Sequence, residues 1–158
     1  IKELFHINNL SSVDSRTSLE AYGDPVNNLP DMTCLTQLTE LSMSCCSIAN
    51  INALSSLTTL TDLRLYVNKI VDVLPLAGLT RLLSLQLSFN YIVDERPLST
   101  LVGLTTLELD NNNIMGVGPL MVLTNLNYLI LMRDRRNSCP VSTLTTLNMM
   151  DCSRKVFT

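Results

Sequence analysis

Apolar residues recur along this chain with a period of 22, and the positions between them are mostly polar. The clearest copy reads Leu57, Leu60, Leu63, Leu65, Asn68, Ile70, Val73, Leu76 and Leu79. The next two repeat it as Leu79, Leu82, Leu85, Leu87, Asn90, Ile92 and as Leu101, Leu104, Leu107, Leu109, Asn112, Ile114. Counting back gives Leu35, Leu38, Leu41, Met43, Cys46, Ile48, Ile51 and Leu54, then a thinner copy at Val13, Leu19, Ala21, Asp24, Val26, Leu29 and Met32. Leu4, Ile7 and Leu10 still keep step. Forward, Leu123, Leu126, Leu129 and Leu131 hold the register, but Asp134 and Arg136 stand where Asn and Ile are due. The last copy arrives early, as Val141, Leu144, Leu147, Met149 and Cys152, 18 residues after Leu123. A unit this short cannot cover its own apolar edge and must stack on its neighbours. The expectation is a single domain over residues 1–158, of about six to seven coils with degenerate or truncated ends, belonging to a longer protein.

Each unit predicts its own elements. Leu63 and Leu65 are two apart, the spacing that sends both side chains to one face of a strand while their neighbours face the other way. Strands of successive coils then lie parallel, each coil returning along the far side. Asn68, Asn90 and Asn112 follow the strand where the chain turns inward, and a buried carboxamide there can donate to and accept from the backbone of two coils. Cys46 and Cys152 hold that position in their copies. The second half of the unit, with Ile70, Val73, Leu76 and Leu79 three apart, suits short 3₁₀ turns. Pro75, Pro97 and Pro119 recur there and remove the amide that a continuing helix would use.

The residues of Asn68 to Leu87, with Ile70, Asp72, Val73, Pro75, Leu76, Leu79 and Thr80, resemble the 22-residue leucine-rich repeat shared by bacterial internalins and the regulatory subunits of eukaryotic protein phosphatase 1. Asn112 to Leu131, with Pro119, Leu120, Leu123, Thr124 and Asn125, resembles it again, and the likeness extends over residues 13–152. The Pro75–Leu76 pair leans toward internalins. The resemblance implies an α/β leucine-rich repeat solenoid, right-handed, with a parallel β-sheet on its concave face and 3₁₀ turns and loops on its convex face. It also implies that the concave surface binds another protein.

Strand alternation predicts which side chains line that surface. They are Ser18, Glu20, Tyr22 and Gly23; Glu40, Ser42, Ser44 and Cys45; Asp62, Arg64, Tyr66 and Val67; Ser84, Gln86, Ser88 and Phe89; Thr106, Glu108, Asp110 and Asn111; Tyr128, Ile130, Met132 and Arg133; and Thr146, Asn148, Met150 and Asp151. Tyr66, Val67, Phe89, Tyr128, Ile130 and Met132 are apolar where the scaffold needs nothing apolar. Such side chains are enriched at interface centres, which makes them, with Arg64, Gln86, Glu108, Asp110 and Arg133, the candidate protein-binding set.

Charge and chemistry change this picture little. Residues 1–132 carry six Lys and Arg against twelve acids, and residues 133–158 carry five against two. Arg133, Arg135, Arg136, Arg154 and Lys155 thus form a short basic end, a solvated loop or a rim for an acidic partner. The net charge of −3 and the absence of a nucleic-acid motif disfavour nucleic acid. No apolar run reaches the 18 residues of a membrane span, so no membrane insertion is expected. His6 is the single histidine and lies in the first, partial repeat, a poor base for a nucleophile. Asp110 to Asn113 lacks the glycine of a calcium loop, having Met115 at that place. Neither cofactor nor metal is expected. Five cysteines without metal-ligand spacing read as reduced thiols, favouring a cytoplasmic setting over a cell-surface or secreted one in which Cys34 or Cys139 pairs outside this chain, although Asn9-Leu10-Ser11 is a glycosylation triplet.

Glu95 is the exception inside the pattern, for it falls where Ile51, Val73 and Val117 point inward. An unpaired carboxylate there is costly, so the backbone of residues 94–97 is expected to shift and let Glu95 reach solvent, Arg96 or a neighbouring coil. The resulting reading is a non-catalytic scaffold that binds a protein or peptide on its concave face. Its alternatives are a specificity module for an enzyme whose catalytic domain lies outside this chain, and an internalin-like surface adhesin.

Overall fold

The fold is a stack of coils whose strands form one sheet in strict chain order. A computed structural model describes residues 17–23, 25–26, 29–131 and 149–151, the last three in backbone only. Its strands are β1 (Ser18–Tyr22), β2 (Glu40–Ser44), β3 (Asp62–Arg64), β4 (Ser84–Gln86), β5 (Thr106–Glu108), β6 (Tyr128–Ile130) and β7 (Met149–Asp151), all parallel in the order β1 to β7. From β1 to β6 every partner is one period away: Leu19 faces Leu41, then Leu63, Leu85, Leu107 and Leu129. The ladder runs beyond the strand ends, with Leu65 N–H on Gln86 O (2.8 Å), Leu87 N–H on Glu108 O (2.8 Å) and Leu109 N–H on Ile130 O (2.9 Å).

The leucine columns form the core. From Leu35 to Leu131 the inward positions are buried throughout, and Leu19, Ala21 and Met32 continue them into the degenerate coil. On the convex side 3₁₀ turns span Asn52–Ser56, Leu74–Leu76, Arg96–Thr100 and Gly118–Val122, with a proline in the first two positions of the last three. The repeat has a start signal there that period counting alone does not show. The side chains of Asn50, Asp72 and Asp94 accept from the amides two residues on, of Asn52, Leu74 and Arg96, at 2.8 to 3.1 Å. That local turn opens the first three 3₁₀ segments, while Gly116 stands at its place before the fourth.

Between strand and turn, the buried asparagines tie coil to coil. Asn68 Oδ1 accepts from the amides of Cys46 (3.1 Å) and Ile48 (2.9 Å), and its Nδ2 donates to Met43 O (2.8 Å) and Leu65 O (3.0 Å). Asn90 accepts from Ile70 and donates to Leu65 and Leu87; Asn112 accepts from Ile92 and donates to Leu87 and Leu109. Each carboxamide therefore satisfies backbone groups of its own coil and of the preceding one. Cys46 does part of this work. Its thiol donates to Ser44 O (3.2 Å) and more weakly to Ala21 O (3.6 Å).

Three expectations need correction. The backbone of residues 94–97 does not shift: Glu95 O accepts from Leu98 N–H at 2.9 Å, as Val73 O accepts from Leu76 and Val117 O from Leu120. Glu95 is 6% exposed, while Arg96 pairs with Asp94, its Nε 2.8 Å from Oδ1 and its Nη2 2.7 Å from Oδ2. That pair lowers the Asp94 carboxyl to about 2. The period thus outweighs one wrong side chain: the turn keeps its hydrogen bond from Leu98 to Glu95 and the burial of Leu98 in the core. Second, Met150, not Leu147, stands opposite Leu129. The run Leu147-Asn148-Met149-Met150 offers an apolar residue in either parity, so hydrophobic matching alone does not fix its register. Third, Ser44 and Ser88, placed on the open face by alternation, are buried. A serine is too short to clear larger neighbours on strands about 4.8 Å away.

Burial holds the Glu95 carboxyl above the usual range, followed by the opposing effect of its own amide N–H, the repulsion of Asp94 and the attraction of Arg96. Its protonated form is favoured by folding. The stability it allows is fully present below the ordinary glutamate range and is lost as pH rises through the raised value. Glu95→Val, matching Val73 and Val117, is expected to stabilise the protein by about 1–2 kcal/mol at neutral pH. Denaturant melts across pH should show that gain shrinking toward acid, and a Glu95→Val variant less stable than wild type at neutral pH would contradict the assignment.

Candidate functional site

The open face of the sheet carries three columns of outward residues plus a fourth at its edge. The first runs Ser18, Glu40, Asp62, Ser84, Thr106, Tyr128 and the second Glu20, Ser42, Arg64, Gln86, Glu108, Ile130. The third runs Tyr22, Ser44, Tyr66, Ser88, Asp110, and the edge column Gly23, Cys45, Val67, Phe89, Asn111. Neighbouring strands bring Tyr66, Val67, Arg64, Gln86, Phe89, Glu108, Asp110, Tyr128 and Ile130 onto one continuous surface. Met132 and Arg133 lie outside the described residues, as do Thr146, Asn148 and His6.

Polar side chains on this surface engage one another along and across strands. Arg64 Nε lies 3.0 Å from Asp62 Oδ1. Gln86 Nε2 donates to Glu108 Oε1 at 3.2 Å, Ser88 Oγ donates to Asp110 Oδ1, and Asn111 Nδ2 donates to Asp110 Oδ2 at 2.6 Å. Burial raises the Glu108 carboxyl above its usual range, the neighbouring Asp110 charge adds to this, and the Gln86 amide opposes it. At the other end, the Tyr22 phenol is raised by its hydrogen bond to the Cys45 thiol and by the nearby Cys45 and Tyr66. Cys34, Cys45 and Cys46 are thiols. Ser44 Oγ, fully buried, has no hydrogen-bond partner.

The edge column has a backbone signature. Gly23 has φ 80°, and Cys45, Val67, Phe89 and Asn111 have φ of 60°, 55°, 57° and 55°. This left-handed conformation turns the chain out of the ladder while keeping Cys45 N–H on Tyr66 O, Val67 N–H on Ser88 O and Phe89 N–H on Asp110 O, at 2.9 to 3.0 Å. Glycine and asparagine adopt it readily, whereas valine and phenylalanine do so at a cost. Val67 is 45% exposed and Phe89 52% exposed. Neither residue gains conformational ease or full burial in return.

The apolar surface is also wider than the alternation pattern indicates. Tyr91 and Val93 are exposed beside Phe89, as are Val71 one coil before and Met115 one coil after. They sit past the Asn68, Asn90 and Asn112 turns, on the edge where the strands end. Counting inward positions leaves them unassigned; the signal available in sequence was the aligned column Val71, Val93, Met115.

No protein-family model matches the chain, and no curated protein matches it in sequence. Solved structures do. An internalin (inlF) of Listeria monocytogenes superposes with TM-score 0.71 at 25% identity, over 94% of this chain and 54% of its own. A second Listeria internalin, inlC2, gives TM-score 0.68 at 25% identity, over 87% and 80%. The chain is a leucine-rich repeat protein. A leucine-rich repeat protein of Leptospira interrogans has the same fold at 19% identity and TM-score 0.71, over 97% of this chain and 45% of its own. This leucine-rich repeat chain therefore spans about half the length of the internalin inlF structure.

The edge column yields a direct test. Replacing Val67 by Asn relieves the left-handed strain while leaving the core untouched, so Val67→Asn is expected to raise stability by about 1 kcal/mol in urea titration. A loss of that size would show that the valine side chain supports the fold.

Proposed function

We propose that the protein is a non-catalytic scaffold that binds a protein or peptide across the concave sheet, centred on Tyr66, Val67, Phe89, Tyr128 and Ile130. The observation that carries this reading is the pairing of exposure with strain at Val67 and Phe89. Bulky apolar side chains stand where the backbone favours Gly or Asn, and the core derives no packing from their exposed parts. Strained residues cluster at functional positions, and exposed apolar patches mark contacts. Binding on such a surface orders little of the scaffold, because the ladder and the buried asparagines already fix the strands; the entropic cost falls on the partner and on the side chains of the face.

The structural likeness to two internalins supports an interaction role of this kind. Met132 and Arg133 belong to the proposed set by strand alternation in the sequence alone. No helix among the described residues is long and apolar enough to cross a membrane.

Affinity capture followed by quantitative mass spectrometry, wild type beside Tyr66→Ala/Phe89→Ala, tests the proposal. Partners held by the wild type are expected to fall by about tenfold or more on the variant, whose circular dichroism melt must remain cooperative. Retention of every partner at the wild-type level would place the contact elsewhere.

A further inference from the structure

The charge of the open face indicates the chemistry of what covers it. Among the described residues from β1 to β6, counting the two that follow each strand segment on the open face, the outward positions carry Glu20, Glu40, Asp62, Glu108 and Asp110 against Arg64 alone. Arg64 is occupied by Asp62. No cation pairs with the other four carboxylates among the described residues, and Glu108 and Asp110 stand two positions apart on one side of the same chain segment. They are held in place by neutral donors: Gln86 on Glu108, Ser88 and Asn111 on Asp110. Such donors orient carboxylate oxygens without neutralising them, so the pair keeps capacity for a guanidinium or an ammonium.

Apolar contacts flank the pair on both sides. Glu108 lies in register with Gln86 on one strand and Ile130 on the next. The Phe89 amide donates to the Asp110 carbonyl at 2.9 Å, which sets Phe89, with its exposed side chain, next to Asp110 on the adjacent coil. Tyr91 and Val93 continue the apolar edge outward. An acidic or neutral segment laid here would leave two carboxylates partly desolvated and unpaired, whereas a basic one converts that cost into a charge-assisted contact.

Resting on the concave-face reading above, we propose that the partner presents an extended cationic segment in which an Arg or Lys seated on Glu108 and Asp110 is flanked by apolar side chains placed on Phe89 and Ile130. Charge steers the segment to the face, and the apolar flanks hold it there. Uncharged or acidic segments are rejected by the same two carboxylates.

The test uses isotope-labelled protein and three short acetylated peptides, one alternating Arg with Leu, one Glu with Leu and one Arg with Ser, followed by amide NMR shifts. The Arg–Leu peptide is expected to shift the amides of β5, Phe89 and Ile130, with affinity that falls as salt is raised. Glu108→Gln/Asp110→Asn, which removes the charge while keeping side-chain shape and one acceptor oxygen in each, should weaken it by about fivefold or more, and Phe89→Asn should do likewise. The proposal is overturned if no Arg–Leu peptide binds, if shifts map to another surface, if the Glu–Leu peptide binds equally, or if the doubly amidated variant binds unchanged. Equal binding of the Arg–Ser peptide would overturn the apolar half. The two readings separate: if Tyr66→Ala/Phe89→Ala abolishes partner capture while Glu108→Gln/Asp110→Asn leaves it intact, the concave site stands and the cationic partner does not, whereas capture untouched by Tyr66→Ala/Phe89→Ala sinks the concave site itself.

Discussion

A carboxamide set just behind each strand is the interaction on which the rest of this molecule depends. A coil of 22 residues has too little apolar surface to enclose itself, and its turn from sheet to convex side strands amides and carbonyls that water cannot reach. Asn68, Asn90 and Asn112 answer both needs at once, each accepting from the preceding coil and donating to that coil and its own. Leucine burial supplies the driving force, but it is non-directional. The asparagine fixes the distance and register at which leucines of one coil meet those of the next, and it holds Leu41, Leu63, Leu85 and Leu107 in line across β2 to β5.

That division frees the outer face. With the backbone satisfied from within, outward side chains can vary without touching the ladder, and residues that burden the fold can be accommodated. Val67 and Phe89 in left-handed conformations are two such burdens, Glu95 in the convex core a third, and the unpartnered Ser44 hydroxyl a fourth. They differ in meaning. Glu95 and Ser44 are buried and offer a partner nothing, whereas Val67 and Phe89 are exposed beside Tyr66, Glu108 and Asp110, where a contact would make use of them.

Much of this is legible in the residues. Leucine spacing identifies the strands and their parity, the recurring prolines mark the 3₁₀ turns, and Asn68, Asn90 and Asn112 read as buried bridges from their place after each strand. What escapes obeys different physics. The edge conformation at Cys45, Val67 and Phe89 contradicts the preference of those side chains, so nothing local announces it; only the Gly23 and Asn111 of the same column hint at a left-handed turn. Ser44 and Ser88 are hidden by side-chain length, which alternation does not weigh. Glu95 reads as a reason for the backbone to yield, yet a single carboxylate loses against the turn's own hydrogen bond and the burial of Leu98 beside it. The register of β7 is ambiguous because consecutive methionines satisfy either parity. For the candidate surface, alternation locates Tyr66, Phe89, Tyr128 and Ile130 but stops at the strand end, and so misses Tyr91, Val71, Val93 and Met115 beyond the turn.

Native-state hydrogen exchange followed by NMR reaches the central claim most directly. The amides of Ile48, Ile70 and Ile92 lie outside the strands and are bonded to asparagine side chains, so they are predicted to exchange as slowly as the strand amides of Leu63, Leu85 and Leu107, through the same cooperative opening. Exchange of those three at the rate of exposed turn amides, with the strands still protected, would contradict a stack held in register by its asparagines.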